Sequence, residues 1–242
     1  MISSTGNSQV KQVIALMKKA RFRRESGLFV VEGPRMFGEL DKDRIEKIFV
    51  TKRFLDDPAH RGMTEGMEKG KVEIVTEEVL KAMSDTQTPQ GVAAVVRQYQ
   101  YTMRDLKKGG KEPLLMILET IQDPGNLGTI LRAGEGAGVT GVIMNRETGD
   151  IYNPKVIRST MGSVFRVPFL YAEDLRGTMK DLKKDGVRLY AAHLDGQKAY
   201  DKENYSGACA FLVGNEARGL EKETANLADA WVSIPMEGKV ES

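Results

Sequence analysis

Apolar residues recur at helical spacing over residues 8–21, where Val10, Val13, Ile14 and Met17 share one face, and this predicts an amphipathic helix. An apolar strand is predicted at 28–32, closed by Gly33-Pro34, a pair able to open the next helix. Strands at 45–51, 72–76 and 91–97, with a helix at 77–83, complete a first half that reads as a small α/β domain over residues 1–98. Residues 99–112 turn polar, and Lys107-Lys108-Gly109-Gly110-Lys111 marks the best linker in the chain. The rhythm then changes. Residues 114–119 form a continuous apolar run suited to a buried parallel strand. Helices predicted at 126–137, 154–164, 174–184 and 217–227 alternate with strands at 141–145, 167–171, 188–193, 208–213 and 231–234. The fold class is α/β, with a mostly parallel sheet covered by helices over residues 113–242.

Composition narrows the function classes. The chain has 242 residues, 40% hydrophobic and 29% charged, which is an ordinary globular balance. No apolar run approaches the roughly 20 residues of a membrane span, and the first residues lack a secretory signal. One cysteine (Cys209) and two histidines (His60 and His193) argue against a disulfide framework and a Cys/His zinc site. A cytoplasmic enzyme or binding protein without a metal is expected. Net charge is only +2, yet the stretch from Lys11 to Arg35 holds seven basic and two acidic residues. Such a cluster suits phosphates, and equally suits a solvated helix face.

Gly136-Ala137-Gly138-Val139-Thr140-Gly141 matches a dinucleotide-binding glycine pattern letter for letter. That chemistry needs the glycines after a strand and at a helix start, whereas here they follow a predicted helix. A helix C-cap is the economical reading. No GxxxxGK[ST] loop occurs.

Three segments place polar residues where strands end. Ile121-Gln122-Asp123-Pro124-Gly125-Asn126-Leu127-Gly128 leads to Arg132, at the strand end where open α/β sheets bind ligands. Asn126 reads as an N-cap, and Arg132 as either a site group or a surface charge. Gly214-Asn215-Glu216 follows an apolar run, where glycine would let a ligand approach and Glu216 would sit at a helix start. Ile234-Pro235-Met236-Glu237-Gly238 leads to Ser242.

In this order the segments resemble the motifs of the SpoU/TrmH family of RNA ribose 2′-O-methyltransferases in the SPOUT superfamily. Arg158-Ser159-Thr160-Met161-Gly162-Ser163 resembles the family's middle segment. Arg21…Glu25…Gly27-Leu28-Phe29…Glu32-Gly33 and Thr88-Pro89-Gln90-Gly91 resemble the ribosomal-protein-like RNA-binding domain that often precedes it. The resemblance implies a deep trefoil knot holding S-adenosylmethionine, a homodimer whose active site borrows from both subunits, and an RNA substrate. Ribosomal RNA is the first choice and transfer RNA the second; a non-catalytic RNA-binding protein on the same scaffold is the rival. It assigns Arg132, Asn126, Glu216 and Ser242 to catalysis. Leu194, Gly214, Asn215, Ile234, Pro235 and Met236 fall to the cofactor, and Lys11, Arg21, Arg23, Arg24 and Arg158 to RNA. The family's last motif continues past its serine into a closing helix, so the resemblance implies a catalytic domain whose C-terminal end lies beyond Ser242.

Overall fold

A computed structural model describes residues 1–68, 70–107, 110 and 112–238. The chain divides into two compact units: residues 1–99 with 150–165, and residues 100–149 with 166–242.

The first unit opens with α1 (Ser8–Lys18) and α2 (Ala20–Ser26). The single helix expected over 8–21 breaks at Lys19, whose backbone is extended at φ −121° and ψ 106°. Arg23 explains how the break is tolerated. Its guanidinium turns back to donate to the carbonyls of Leu16 (2.6 Å) and Met17 (3.2 Å), which α1 leaves without helical partners. Strand β1 (Leu28–Glu32), helix α3 (Pro34–Gly38), strand β2 (Ile45–Thr51) and helix α4 (Lys52–Asp56) follow. Strand β3 (Val72–Val75), helix α5 (Glu77–Met83) and strand β4 (Val92–Arg97) complete this stretch. The sheet order is β1-β4-β2-β3, antiparallel except for the β2–β3 pair. Val10 and Val13 of the predicted face, together with Leu16, are buried against Val30, Phe49, Val79, Leu80 and Val95, while Ile14 and Met17 are partly buried at the edge of this core.

The chain then passes into the second unit through α6 (Met103–Leu106), β5 (Leu114–Leu118), α7 (Pro124–Ala137) and β6 (Gly141–Asn145). It returns to the first unit for residues 150–165, which carry α8 (Pro154–Thr160). It re-enters the second for β7 (Phe169–Ala172), α9 (Leu175–Lys184), β8 (Arg188–Ala192) and β9 (Lys198–Ala199). Strand β10 (Cys209–Val213), helix α10 (Lys222–Ala225) and strand β11 (Ala230–Ser233) end the described chain. Seven strands lie in the order β7-β6-β5-β10-β8-β11-β9, and every pairing is parallel. Their apolar runs are buried as such a sheet requires, with Leu115, Ile117, Ile143, Leu189, Ala210 and Leu212 packed beneath Leu175, Met179 and Leu182 of α9.

Three expectations are corrected here. Residues 150–165 pack within the first unit rather than with the sheet that surrounds them in sequence. Tyr152 explains this: its ring lies 4.6 Å from that of Phe29, and its hydroxyl accepts from the Tyr99 N–H at 2.7 Å. The helix expected at 217–227 shrinks to Lys222–Ala225. Asn215 Oδ1 accepts from the N–H groups of Ala217 and Arg218, and Asn215 and Gly219 exchange backbone hydrogen bonds at 3.0 and 2.9 Å. A tight turn ending in Gly219, at φ +68°, occupies the place of the first helical turn. Finally, the N-cap of α7 is Asp123, whose carboxylate accepts from the Asn126 N–H at 2.8 Å, so Asn126 lies inside the helix. Gly138, left-handed at φ +82°, ends α7 as the C-cap reading of the glycine run expects.

Candidate active site

The carboxyl ends of β5 and β10 are neighbours, and the loops leaving them meet. Glu216 is the point of convergence. It accepts from the backbone N–H of Asp123 (2.9 Å), from that of Gln122 (3.2 Å) and from the side-chain amide of Asn126 (3.2 Å). The predicted setting at a helix start is therefore met by a different helix: Glu216 sits at the entrance of α7, not of its own. Burial pushes its carboxyl pKa up, but the hydrogen bonds from Asp123, its own backbone, Gln122 and Asn126 outweigh that and hold it below the usual carboxylate range. Its oxygens are committed to this loop, which makes it an anchor rather than a proton acceptor.

Beneath Glu216 lies a second polar layer that sequence patterning does not reveal. Thr120, the second residue past β5, has φ +60°, a conformation that costs a β-branched side chain about 1–3 kcal/mol. Asn145, at the end of β6, and Asn215, just past β10, both bond to it. Glu119 is buried at 4% exposure and accepts from the Glu221 N–H at 2.7 Å and from the Thr224 hydroxyl, which fixes the start of α10. Nothing local in the sequence marks Thr120 or Glu119, or the pairing of Asn145 with Thr120, because these partners lie 25 to 105 residues apart.

Arg132 is exposed on α7 and makes no hydrogen bond or ion pair with any described residue. Asn126 and Arg132 share the solvent side of this helix with Thr129, Ala133 and Gly136. Ser242 lies outside the described residues.

A further set of loops leaves the ends of β10, β8 and β11, which are adjacent in the sheet. His193 N–H donates to the Val232 carbonyl at 3.0 Å and its ring stacks on Trp231 at 4.2 Å, holding the loop after β8 against β11. A Cβ on Gly196 would lie 2.5 Å from the Ser233 backbone, so this close approach needs glycine. Gly214 is equally constrained, but by the chain itself. A Cβ there would fall 2.2 Å from the Gly219 backbone carbon, so the turn that Gly219 closes already requires glycine at this position. Leu194, Ile234 and Met236 are 67%, 61% and 45% exposed, a group of large apolar side chains in water on loops that run side by side. Such exposure suits a ligand with apolar faces held by a few polar groups.

The basic residues of the first unit divide. Lys11, Lys18, Lys19 and Arg24 are exposed and have no partner among the described residues. Arg21 is exposed and pairs with Glu25 at 2.6 Å. Arg23 is a correction: it is 3% exposed and bound to Asp150 at 2.7 Å, so it holds α1, α2 and residue 150 together rather than meeting phosphates. Arg158 is committed to Asp85 at 2.8 Å, with Glu32 3.9 Å away. Among the described residues no cluster of three His, Cys, Asp or Glu side chains could hold a metal ion, and no helix is long and apolar enough to cross a membrane.

Comparison with known proteins places this arrangement. Residues 7–94 match the MRM3-like substrate binding domain. Over its full length the chain is 29% identical to 92% of the 23S rRNA (guanosine(2553)-2′-O)-methyltransferase RlmP of Bacillus subtilis. The AdoMet-bound rRNA methyltransferase of Sinorhizobium meliloti superposes with a TM-score of 0.82 at 31% identity, over 100% of this chain and 90% of that one. The SpoU methyltransferase AviRb of Streptomyces viridochromogenes shares the fold with a TM-score of 0.85 at 23% identity, over 98% and 91% of the two chains. Residues 113–242, which carry Arg132 on α7 and the loops of Glu216 and Met236, match the SpoU rRNA methylase family model, and the chain belongs to that family.

Proposed function

We propose that this protein transfers the methyl group of S-adenosylmethionine to a ribose 2′-hydroxyl of RNA, with large-subunit ribosomal RNA as substrate. The observation that carries this reading is the convergence of Glu216 and Asn126 at the entrance of α7, a helix that also carries Arg132, exposed and without a partner among the described residues. Relatives along the whole chain, among them the Bacillus subtilis 23S rRNA enzyme, support the choice of ribosomal over transfer RNA. Action on ribosomal RNA in the cytoplasm belongs to the same reading.

The cofactor fits the loops described. Leu194, Ile234 and Met236 offer apolar cover, and the backbone around Gly214 and Pro235 offers polar groups. When bound, S-adenosylmethionine supplies an electrophilic methyl group on a sulfonium, open to in-line displacement by oxygen. The protein's task is then alignment and control of a proton. A ribose hydroxyl is a weak nucleophile until its proton is removed or strongly polarised. Guanidinium keeps its proton in proteins, so Arg132 acts by orienting the hydroxyl and stabilising developing alkoxide and phosphate charge. Asn126, tied to Glu216, holds its amide at a fixed position in the first turn of the same helix.

The homodimer and the knot belong to this proposal. The exposed face of α7 carries Gly125, Thr129, Ala133 and Gly136, small enough for a second copy to approach Arg132 closely. Strand β10 lies between β5 and β8, and β11 returns to the far side of β8, an order that suits threading of the C-terminal segment. Mass mapping of ribosomal RNA from cells with and without the gene tests the function. A 2′-O-methylated, nuclease-resistant dinucleotide lost with the gene is expected. Unchanged ribosomal RNA, together with no methyl transfer by the purified protein, would overturn it and leave the non-catalytic RNA-binding reading.

A further inference from the structure

Two residues past β5, the chain passes through a residue that does not favour its own conformation. Thr120 is left-handed at φ +60°, where a β-branched side chain is rare. Each of its polar groups is gripped from a neighbouring strand. Its N–H donates to Asn145 Oδ1 at 2.8 Å, and its hydroxyl accepts from Asn145 Nδ2 at 2.8 Å. Its carbonyl accepts from Asn215 Nδ2 at 2.8 Å. The two asparagines come from β6 and from the end of β10, the strands on either side of β5. Both are anchored in turn. Asn145 Oδ1 also accepts from the Thr148 N–H and hydroxyl, while Asn215 Oδ1 accepts from Ala217 and Arg218.

The three residues after Thr120 give this grip a purpose. Ile121 accepts from the Gly149 N–H at 2.8 Å, and the next two N–H groups, of Gln122 and Asp123, point at Glu216. A strand exit in any commoner conformation would rotate these two amides away from the carboxylate. We propose that Asn145 and Asn215 are positioning residues that clamp Thr120 from both sides, so that residues 121–126 are aimed at Glu216 before substrate arrives. Its catalytic consequence rests on the methyltransferase reading; the clamp itself is a property of the backbone.

The test uses the full chain and three variants: Asn145→Ala, Thr120→Gly and the double variant. Hydrogen exchange at the Gln122 and Asp123 amides reports the clamp independently of activity. In Asn145→Ala, exchange at these two amides is expected to rise about tenfold or more. Its kcat should fall about 10- to 100-fold by misalignment. Affinity for S-adenosylmethionine, by calorimetry, and KM for RNA should stay within about threefold of wild type. Adding Thr120→Gly should return exchange and kcat to within about threefold of wild type, because glycine takes this conformation without a clamp. Unchanged exchange in Asn145→Ala, or a double variant no better than the single one, overturns the proposal. If Asn145→Ala fails to fold, recovery of folding by Thr120→Gly supports the clamp and continued failure overturns it. A wild-type chain that transfers no methyl would remove the proposed function, and the exchange data would still judge the clamp.

Discussion

Arg23 in the first unit and Arg132 in the second stand in opposite settings. In the first, Arg23 is buried and spends its donors on Asp150 and on the carbonyls of Leu16 and Met17, and Arg158 is committed to Asp85. In the second, Arg132 stands exposed with no partner among the described residues, on the helix whose first turn carries Asn126 bound to Glu216. A cation already surrounded by acceptors holds a fold together. One left free on such a helix is available to a substrate.

The contrast can be broken experimentally. The largest effect is expected for Asp150→Ala, which leaves the Arg23 guanidinium buried without its counter-charge and should cost about 3–5 kcal/mol of stability in chemical denaturation. Arg132→Ala should leave the denaturation midpoint unchanged, yet lower kcat about 10²- to 10³-fold while S-adenosylmethionine still binds by calorimetry. Near-wild-type turnover would remove Arg132 from the site. Glu216→Ala should have a smaller effect than Arg132→Ala, losing about 10- to 100-fold in kcat as residues 122–126 lose their anchor. The smallest effects are expected for Lys11→Ala and Arg24→Ala: each should weaken RNA binding only a few-fold, by roughly 1 kcal/mol, and make it less salt-dependent without changing stability.

Two carboxylates sharpen the comparison through pH. Glu216 has a folded-state pKa below its unfolded value of about 4.3, so its contribution is complete above that value and is lost as pH falls through the folded one. Glu32, in the first unit, is shifted the other way. Burial raises its pKa, against the hydrogen bonds from Ser84 and Asp85 and the charge of Arg158. Its contribution is complete below about pH 4.3 and is lost as pH rises through its folded pKa. Stability measured from about pH 3 to 7 should therefore lose an acid-side decline in Glu216→Gln, and lose a decline with rising pH in Glu32→Gln.

Much of the parallel sheet was legible, because apolar runs such as Leu114–Leu118 and Cys209–Val213 carry their burial in their composition. The helix expected at 217–227 failed since its Ala, Leu and Glu residues favour a helix, while the turn built by Asn215 competes for the same N–H groups and wins. The basic cluster misled over Arg23 for another reason: its counter-charge lies 127 residues away, and charge counting has no access to that pairing. The site residues came from likeness to a family rather than from pattern. Thr120 and Asn145 escaped both, because a strained backbone and the groups that secure it meet only after folding.

The passage of residues 150–165 into the first unit has a consequence for anyone wishing to dissect the molecule. Cutting at the polar stretch near residue 107 does not yield two self-sufficient pieces. A fragment beginning at Pro113 would carry Ile151, Tyr152, Val156, Ile157 and Val164, all buried in the intact chain, with no surface left to cover them. It should be insoluble unless that excursion is replaced by a short polar bridge. Exchanging the N-terminal half between relatives likewise requires moving two stretches of sequence together, so the halves are bound to change in concert.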